Sequence, residues 1–200
     1  MASIIDGIIP AQQYETIRDK IGLILYEELV NQFTLTTDED LNVKVFVERF
    51  VAFDKTDFPC LNVVFSGGNY DNKNTTTVDG EYSFFIDAYC AAKTTTTESG
   101  DSKASFKLQR LLGVCRAILE NPQYRNLKLD ICKTGSVGVK SIAISQPENK
   151  QDATSTIMGR LTFNVRALED TLLLDALPID NWKTQVKLNL TEKGYLYEKI

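Results

Sequence analysis

The stretch DGEYSFFIDAYCAA, Asp79–Ala92, decides the reading of this chain. Tyr82, Phe84, Ile86, Ala88 and Cys90 fall on one side of an extended backbone, and Glu81, Ser83, Phe85, Asp87 and Tyr89 on the other, because side chains alternate along a strand. Aromatic residues on both sides predict a central strand covered on both faces. A second long strand is expected over 156–168, with Ile157, Gly159, Leu161, Phe163, Val165 and Ala167 on one face and Arg160, Thr162, Asn164 and Arg166 on the other. Two shorter apolar runs, 61–65 and 137–145, and a segment at 127–132 read as further strands. Another strand is expected where Val43, Val45 and Val47 alternate with Lys44, Phe46 and Glu48, running on through Phe50 to Phe53.

Two segments carry a helical period instead. Over 11–33, Tyr14, Ile17, Ile21, Ile24, Leu25 and Leu29 recur at three and four, after a Pro10 that suits a first turn. Beyond the linker KTTTTESGDS, 93–102, the residues Ala104, Leu108, Leu111, Leu112, Cys115, Ile118 and Leu119 form a second stripe. Asp101 or Ser102 is the expected N-cap, and Asn121-Pro122 ends the helix. SGGNYDNKNTTTVDG, 66–80, reads as a long Gly- and Asn-rich loop. Runs of strands with two amphipathic helices predict an α+β domain over 1–170, a mainly antiparallel sheet with both helices packed on it. Residues 171–200 differ in kind. After an apolar connection broken by Pro178, Trp182, Thr184, Val186, Leu188 and Leu190 alternate with polar residues, which predicts an extended C-terminal arm. Such an arm either pairs with its own sheet or adds to a sheet edge of a neighbour.

Composition narrows the function classes. Apolar residues make up 43% and charged residues 24% of the 200, as in ordinary globular domains. The net charge of −5 argues against nucleic-acid binding as a main source of affinity, because phosphate-gripping surfaces are basic. The N-terminal MASIIDGIIP lacks a basic region and a long apolar run, so no signal peptide is expected. No stretch approaches the ~18 apolar residues of a membrane span. Histidine is absent, which removes Ser-His and Cys-His nucleophile pairs from this chain. Cys60, Cys90, Cys115 and Cys132 are far apart, with no C-x-x-C, and read as reduced core thiols rather than metal ligands. Gly67-Gly68 with Lys73 and Thr75 does not make a phosphate loop, since Asn72 stands where a glycine is required. The alternation Asn69, Asp71, Lys73 fails as a calcium loop because lysine occupies a ligand position. No catalytic, cofactor or metal residues are expected, and the chain reads as a non-enzyme. Candidate interface residues are Arg49, Arg160 and Arg166, with Trp182, Val186 and Leu188 of the arm.

The order and pattern of ETIRDKIGLILYEEL, VKVFVERF, DGEYSFFIDAYCAA, ASFKLQRLLGVCRAIL and IMGRLTFNVRALED, covering roughly residues 10–170, resemble the tail terminator (tail completion) proteins of long-tailed phages and related contractile particles. The segment 66–80 and the arm at 171–200 depart from the smaller members. The resemblance implies a virion protein at the tail–neck junction, made in the host cytoplasm. It would form a ring, hexameric in expectation, on the head-proximal end of the tail tube, stopping tube and sheath growth and presenting a head-attachment surface. Implied partners are further copies of the chain, the tail tube protein, the sheath protein in contractile tails, and a neck or head-completion protein. DNA would slide through the lumen without specific binding, and Asp38, Glu39, Asp40, Glu148 and Asp152 are candidate lumen-facing acids. Within the same class, a head–tail connector or neck ring, or the cap of a phage-like contractile injection particle, is the alternative. From another class, a monomeric ligand- or peptide-binding module would use the segment 66–80.

Overall fold

A computed structural model describes residues 11–72, 77–95, 99–133, 137–145 and 154–170, together with the backbone of two short strands at 183–186 and 195–198. Two helices, α1 (Gln13–Thr36) and α2 (Gly100–Leu119), pack on a sheet of β1 (Lys44–Val47), β2 (Cys60–Asn72), β3 (Thr77–Lys93), β4 (Gly138–Ser145) and β5 (Thr154–Asp170). The spatial order is β1-β2-β3-β5-β4, with β3 in the centre. Every pairing is antiparallel except β1 with β2, which is parallel. The expected α+β architecture is therefore what the chain adopts.

The core is built from the residues whose periodicity announced it. Tyr82, Phe84, Ile86, Ala88 and Cys90 of β3 are buried, as are Ile157, Leu161, Phe163, Val165 and Ala167 of β5, and Ile17, Ile21, Ile24, Leu25 and Leu29 of α1 meet them. α1 lies over β1 and β2, and α2 over β3 and β5. At Gly159 the backbone comes so close to α2 that an added Cβ would stand 2.6 Å from a Leu112 methyl. Burial of this kind is the main favourable term in the fold.

Several local expectations are corrected. Residues 66–80 are not a long loop. Strands β2 and β3 continue through almost all of that stretch, pairing from Cys60 with Tyr89 to Asn72 with Val78. A register shift between Phe65 and Gly67 bends the ladder there, and Gly67 takes φ 157°. The glycines that looked like loop residues make room for Tyr82, whose ring occupies the space that side chains at positions 68 and 80 would fill. The segment 127–132 is not a strand. Leu127 and Lys128 are both left-handed, at φ 55° and 56°, and only Cys132 makes a bridge, to Ala167. β1 stops at Val47 instead of running to Phe53, because Glu48 is left-handed at φ 52°. α2 is preceded by Ser99 as N-cap residue, two or three positions earlier than expected, and Ser99 makes no side-chain capping bond. β3 is central, but its second face is covered only in part.

In the arm, β6 (Lys183–Val186) pairs antiparallel with β7 (Tyr195–Glu198). The strand expected around Trp182–Leu190 thus finds a partner inside the arm itself. Trp182 and Leu188 lie outside the described residues, and Val186 closes β6.

All four cysteines are free and buried. Burial pushes the thiols of Cys60, Cys90 and Cys115 up to about 12 and that of Cys132 to about 11, from an ordinary 9.0. A thiol whose folded value is raised holds its proton more tightly in the fold. Its contribution is complete below pH 9 and is lost as the pH rises towards 12. The fold is therefore expected to lose stability progressively above pH 9. At pH 8, iodoacetamide is expected to leave all four thiols unmodified until denaturant is added. A thiol in the native protein alkylated as fast as free cysteine would show the packing described here to be wrong.

Candidate functional site

Both helices pack on one face of the sheet, and among the described residues the other face carries only the segment that follows β1. That segment is anchored by a strand mimic. Glu48 turns out of β1, and its carboxylate accepts the Phe65 amide at 2.7 Å. The next residue, Arg49, then pairs through its backbone with the side chain of Asn62, which accepts the Arg49 N–H at 3.1 Å and donates to the Arg49 carbonyl at 2.8 Å. Asn62 is buried in β2, and this double bond satisfies its amide. Residues 50–58 are thereby laid across the open face.

The result is an aromatic groove containing two arginines. The Arg49 guanidinium lies 4.5 Å from the Phe46 ring centre and 4.6 Å from that of Phe53, and pairs with Asp57 at 3.1 Å. Lys44 also reaches Asp57, and that hydrogen bond, with the Arg49 charge beside it, holds the carboxyl below the usual carboxylate range. Phe53 packs on Tyr89 with ring centres 4.8 Å apart. Tyr89 is pushed above the ordinary tyrosine value, first by burial and then by the Asp87 charge. Arg160 stands directly across the ladder from Asp87 and holds it with two parallel bonds of 2.7 and 2.8 Å, while stacking 4.0 Å above Phe85. That carboxylate holds the guanidinium above its ordinary value. The groove encloses about 480 Å³, and Phe50 and Val51 form its exposed lip, at 80% and 74% accessibility.

Of the residues singled out in the sequence, Arg49, Arg160 and Arg166 come to the same face. Arg49 and Arg160 share the groove. Arg166 lies six residues along β5, about 20 Å away at strand rise, and pairs across the ladder with Glu81 at 2.9 Å. Asp38 caps a short 3₁₀ turn by accepting the Asp40 amide, and Asp40 pairs with Lys107 of α2 in a cleft that also presents Lys103 and Arg110. The charge around Asp40 is therefore mixed, and the acid ties the turn to α2. Glu39 belongs to the same 3₁₀ turn. Glu148 and Asp152 lie outside the described residues.

Asn62 and Asp87 were missed from the sequence. Both sit in strand positions facing away from the helices, and an uncharged Asn or a lone Asp in a strand carries no pattern of its own. Their signal lay in register, since Asp87 opposite Arg160 becomes visible only once β3 is paired with β5. Among the described residues no group of three Cys, Asp or Glu side chains could hold a metal ion, and no helix is long and apolar enough to cross a membrane. No protein-family model matches the chain, and no curated protein matches it significantly.

Proposed function

We propose that this chain is a structural virion part, one wedge of a ring that caps the head-proximal end of a phage tail tube. In that role it stops tube and sheath growth and offers the neck a docking surface. The observation that carries the reading is the open face of the sheet. A five-stranded sheet covered by helices on one side and carrying aromatic rings and arginines on the other has a surface suited to burial against another protein, since interface cores are rich in aromatics and arginine. A mostly antiparallel sheet with helices packed on it is the kind of fold the tail-terminator resemblance implies. The net charge of −5 suits a lumen that must not retain DNA. The ring would hold further copies of the chain, six by the resemblance, and would contact tube, neck and, in contractile tails, sheath.

A monomeric peptide-binding module is the second reading, favoured by the groove itself, which is of ordinary size for a ligand site. Light scattering on the eluting protein, negative-stain imaging and co-sedimentation with purified tail tubes separate the two. The ring reading expects a closed annular particle that binds one end of the tubes. A strict monomer at high concentration with no affinity for tubes would overturn it.

A further inference from the structure

The helix α1 is apolar on two sides. Its inner side is the core stripe already described. On its outer side Leu23, Tyr26 and Val30, three and four apart, stand exposed at 45%, 53% and 47%. A helix at the surface of a monomer normally carries charge there. α1 packs over β1 and β2 on one face of the sheet, and the aromatic groove, with its exposed lip of Phe50 and Val51, lies on the opposite face across β2, β3 and β5. Among the described residues, α1 thus offers a convex apolar surface and the open face a concave one, on opposite sides of the sheet.

Their charges are complementary. In the groove the acids lie beneath and the guanidiniums outward: Arg160 is 39% exposed over an Asp87 at 7%, and Arg49 is 27% exposed beside an Asp57 at 15%. In a chain of net charge −5 this groove presents cation to the solvent. The outer stripe of α1 is bordered by the exposed Glu27, whereas Glu28 lies on the core side of the helix, where its carboxylate accepts the Tyr124 hydroxyl. Two unlike patches on opposite sides of one molecule cannot both be satisfied by a two-fold dimer. They pair head to tail, and such contacts propagate into a ring when the rotation closes.

We propose that the outer stripe of α1, Leu23, Tyr26 and Val30, docks into the aromatic groove on the open sheet face of a second copy of this chain. The inference rests on the ring reading and names its subunit contact. Each copy offers one helix and one groove, so every interface is heterologous. Phe50 and Val51 close over the incoming helix, while Glu27 faces the arginines.

The test uses two variants of the full chain, Tyr26→Glu with Val30→Glu on the helix, and Phe50→Asp with Val51→Asp on the lip. Each ruins one surface and leaves the other intact. Each alone is expected to elute at the single-chain mass of 22.5 kDa. Mixed in equal amounts, they are expected to form a species of twice that mass, because one intact helix then meets one intact groove. The milder pair Val30→Glu and Val51→Asp makes the same measurement should a double variant fail to fold. Variants that keep the wild-type mass, or a mixture of folded monomers that does not associate, overturn the contact while leaving the ring intact. Unchanged ring mass with lost binding to tail tubes would assign both surfaces to the tube, and also overturns it. A wild-type protein that is itself monomeric fails one step earlier and takes the ring reading with it.

Discussion

Gly80→Val is expected to lower the thermal unfolding midpoint by roughly 6–12 °C, from a cost of about 3 kcal/mol at 2–4 °C per kcal/mol for a chain of this size. A Cβ at position 80 would stand 2.2 Å from the Tyr82 hydroxyl oxygen and 2.4 Å from Cζ. Tyr82 cannot swing away freely. It is fully buried, Tyr14, Phe65 and Tyr70 surround it with ring centres 5.9–6.2 Å distant, and its ring also covers Gly68 on the neighbouring strand. The substitution therefore forces either the tyrosine out of its slot or the strands apart, at a site that interiors packed to crystal-like density cannot absorb. Repeating it in a Tyr82→Ala background separates the mechanism from any general preference of strand glycines. There Gly80→Val should cost little, since the clashing ring is gone and valine favours strands. An unchanged midpoint for the single variant, or an equal loss in both backgrounds, would show that the tyrosine does not lie over these glycines.

The second large effect concerns the pair across the centre of the open face. Arg160→Met is expected to cost about 2–3 kcal/mol in denaturant unfolding, at the upper end for hydrogen bonds to charged groups and below the figure for a fully buried ion pair. The carboxylate of Asp87 is nearly inaccessible, whereas the Arg160 side chain is 39% exposed. Removing the arginine strands a buried negative charge. Removing the charge of its partner by Asp87→Asn leaves a guanidinium that water can reach, so that variant should cost about 1 kcal/mol. The double variant Arg160→Met with Asp87→Leu should recover much of the loss, because neither charge then needs a partner. The asymmetry is the decisive outcome. Equal losses for Arg160→Met and Asp87→Asn would mean that the carboxylate is better solvated than its burial indicates.

How much of this was legible beforehand differs from element to element. The alternation in 79–92 and 156–168 named the buried face of each long strand residue by residue, because the strand period is two and one face had to be apolar. The helical period of 11–33 and 102–119 placed both helices on that face. Where a local signal had two physical meanings, the reading went astray. Glycine marks loops, but in 66–80 it marks the close approach of an aromatic ring. Branched residues mark strands, but at 127–128 two left-handed residues turn the chain before a ladder forms. Of the open face, the arginines were recognisable as interface candidates, and Asn62 and Asp87 were not. Their partners are 13 and 73 residues away in the chain, and no short-range pattern couples them.

By itself, then, the sequence determined the α+β class, the two core-facing helix stripes, the inner faces of the long strands, and the lack of any histidine-based chemistry. These follow from periodicity and composition, which act over a few residues. The tertiary structure alone decided that residues 50–58 cross the face of the sheet away from the helices, and that Arg49 and Arg160 meet there over their carboxylates. It also decided that the outer stripe of α1 lies on the opposite side of the sheet from that groove. Those facts depend on strand order and register, which bring residues distant in the chain to one surface, and it is the surface that carries the function proposed for this chain.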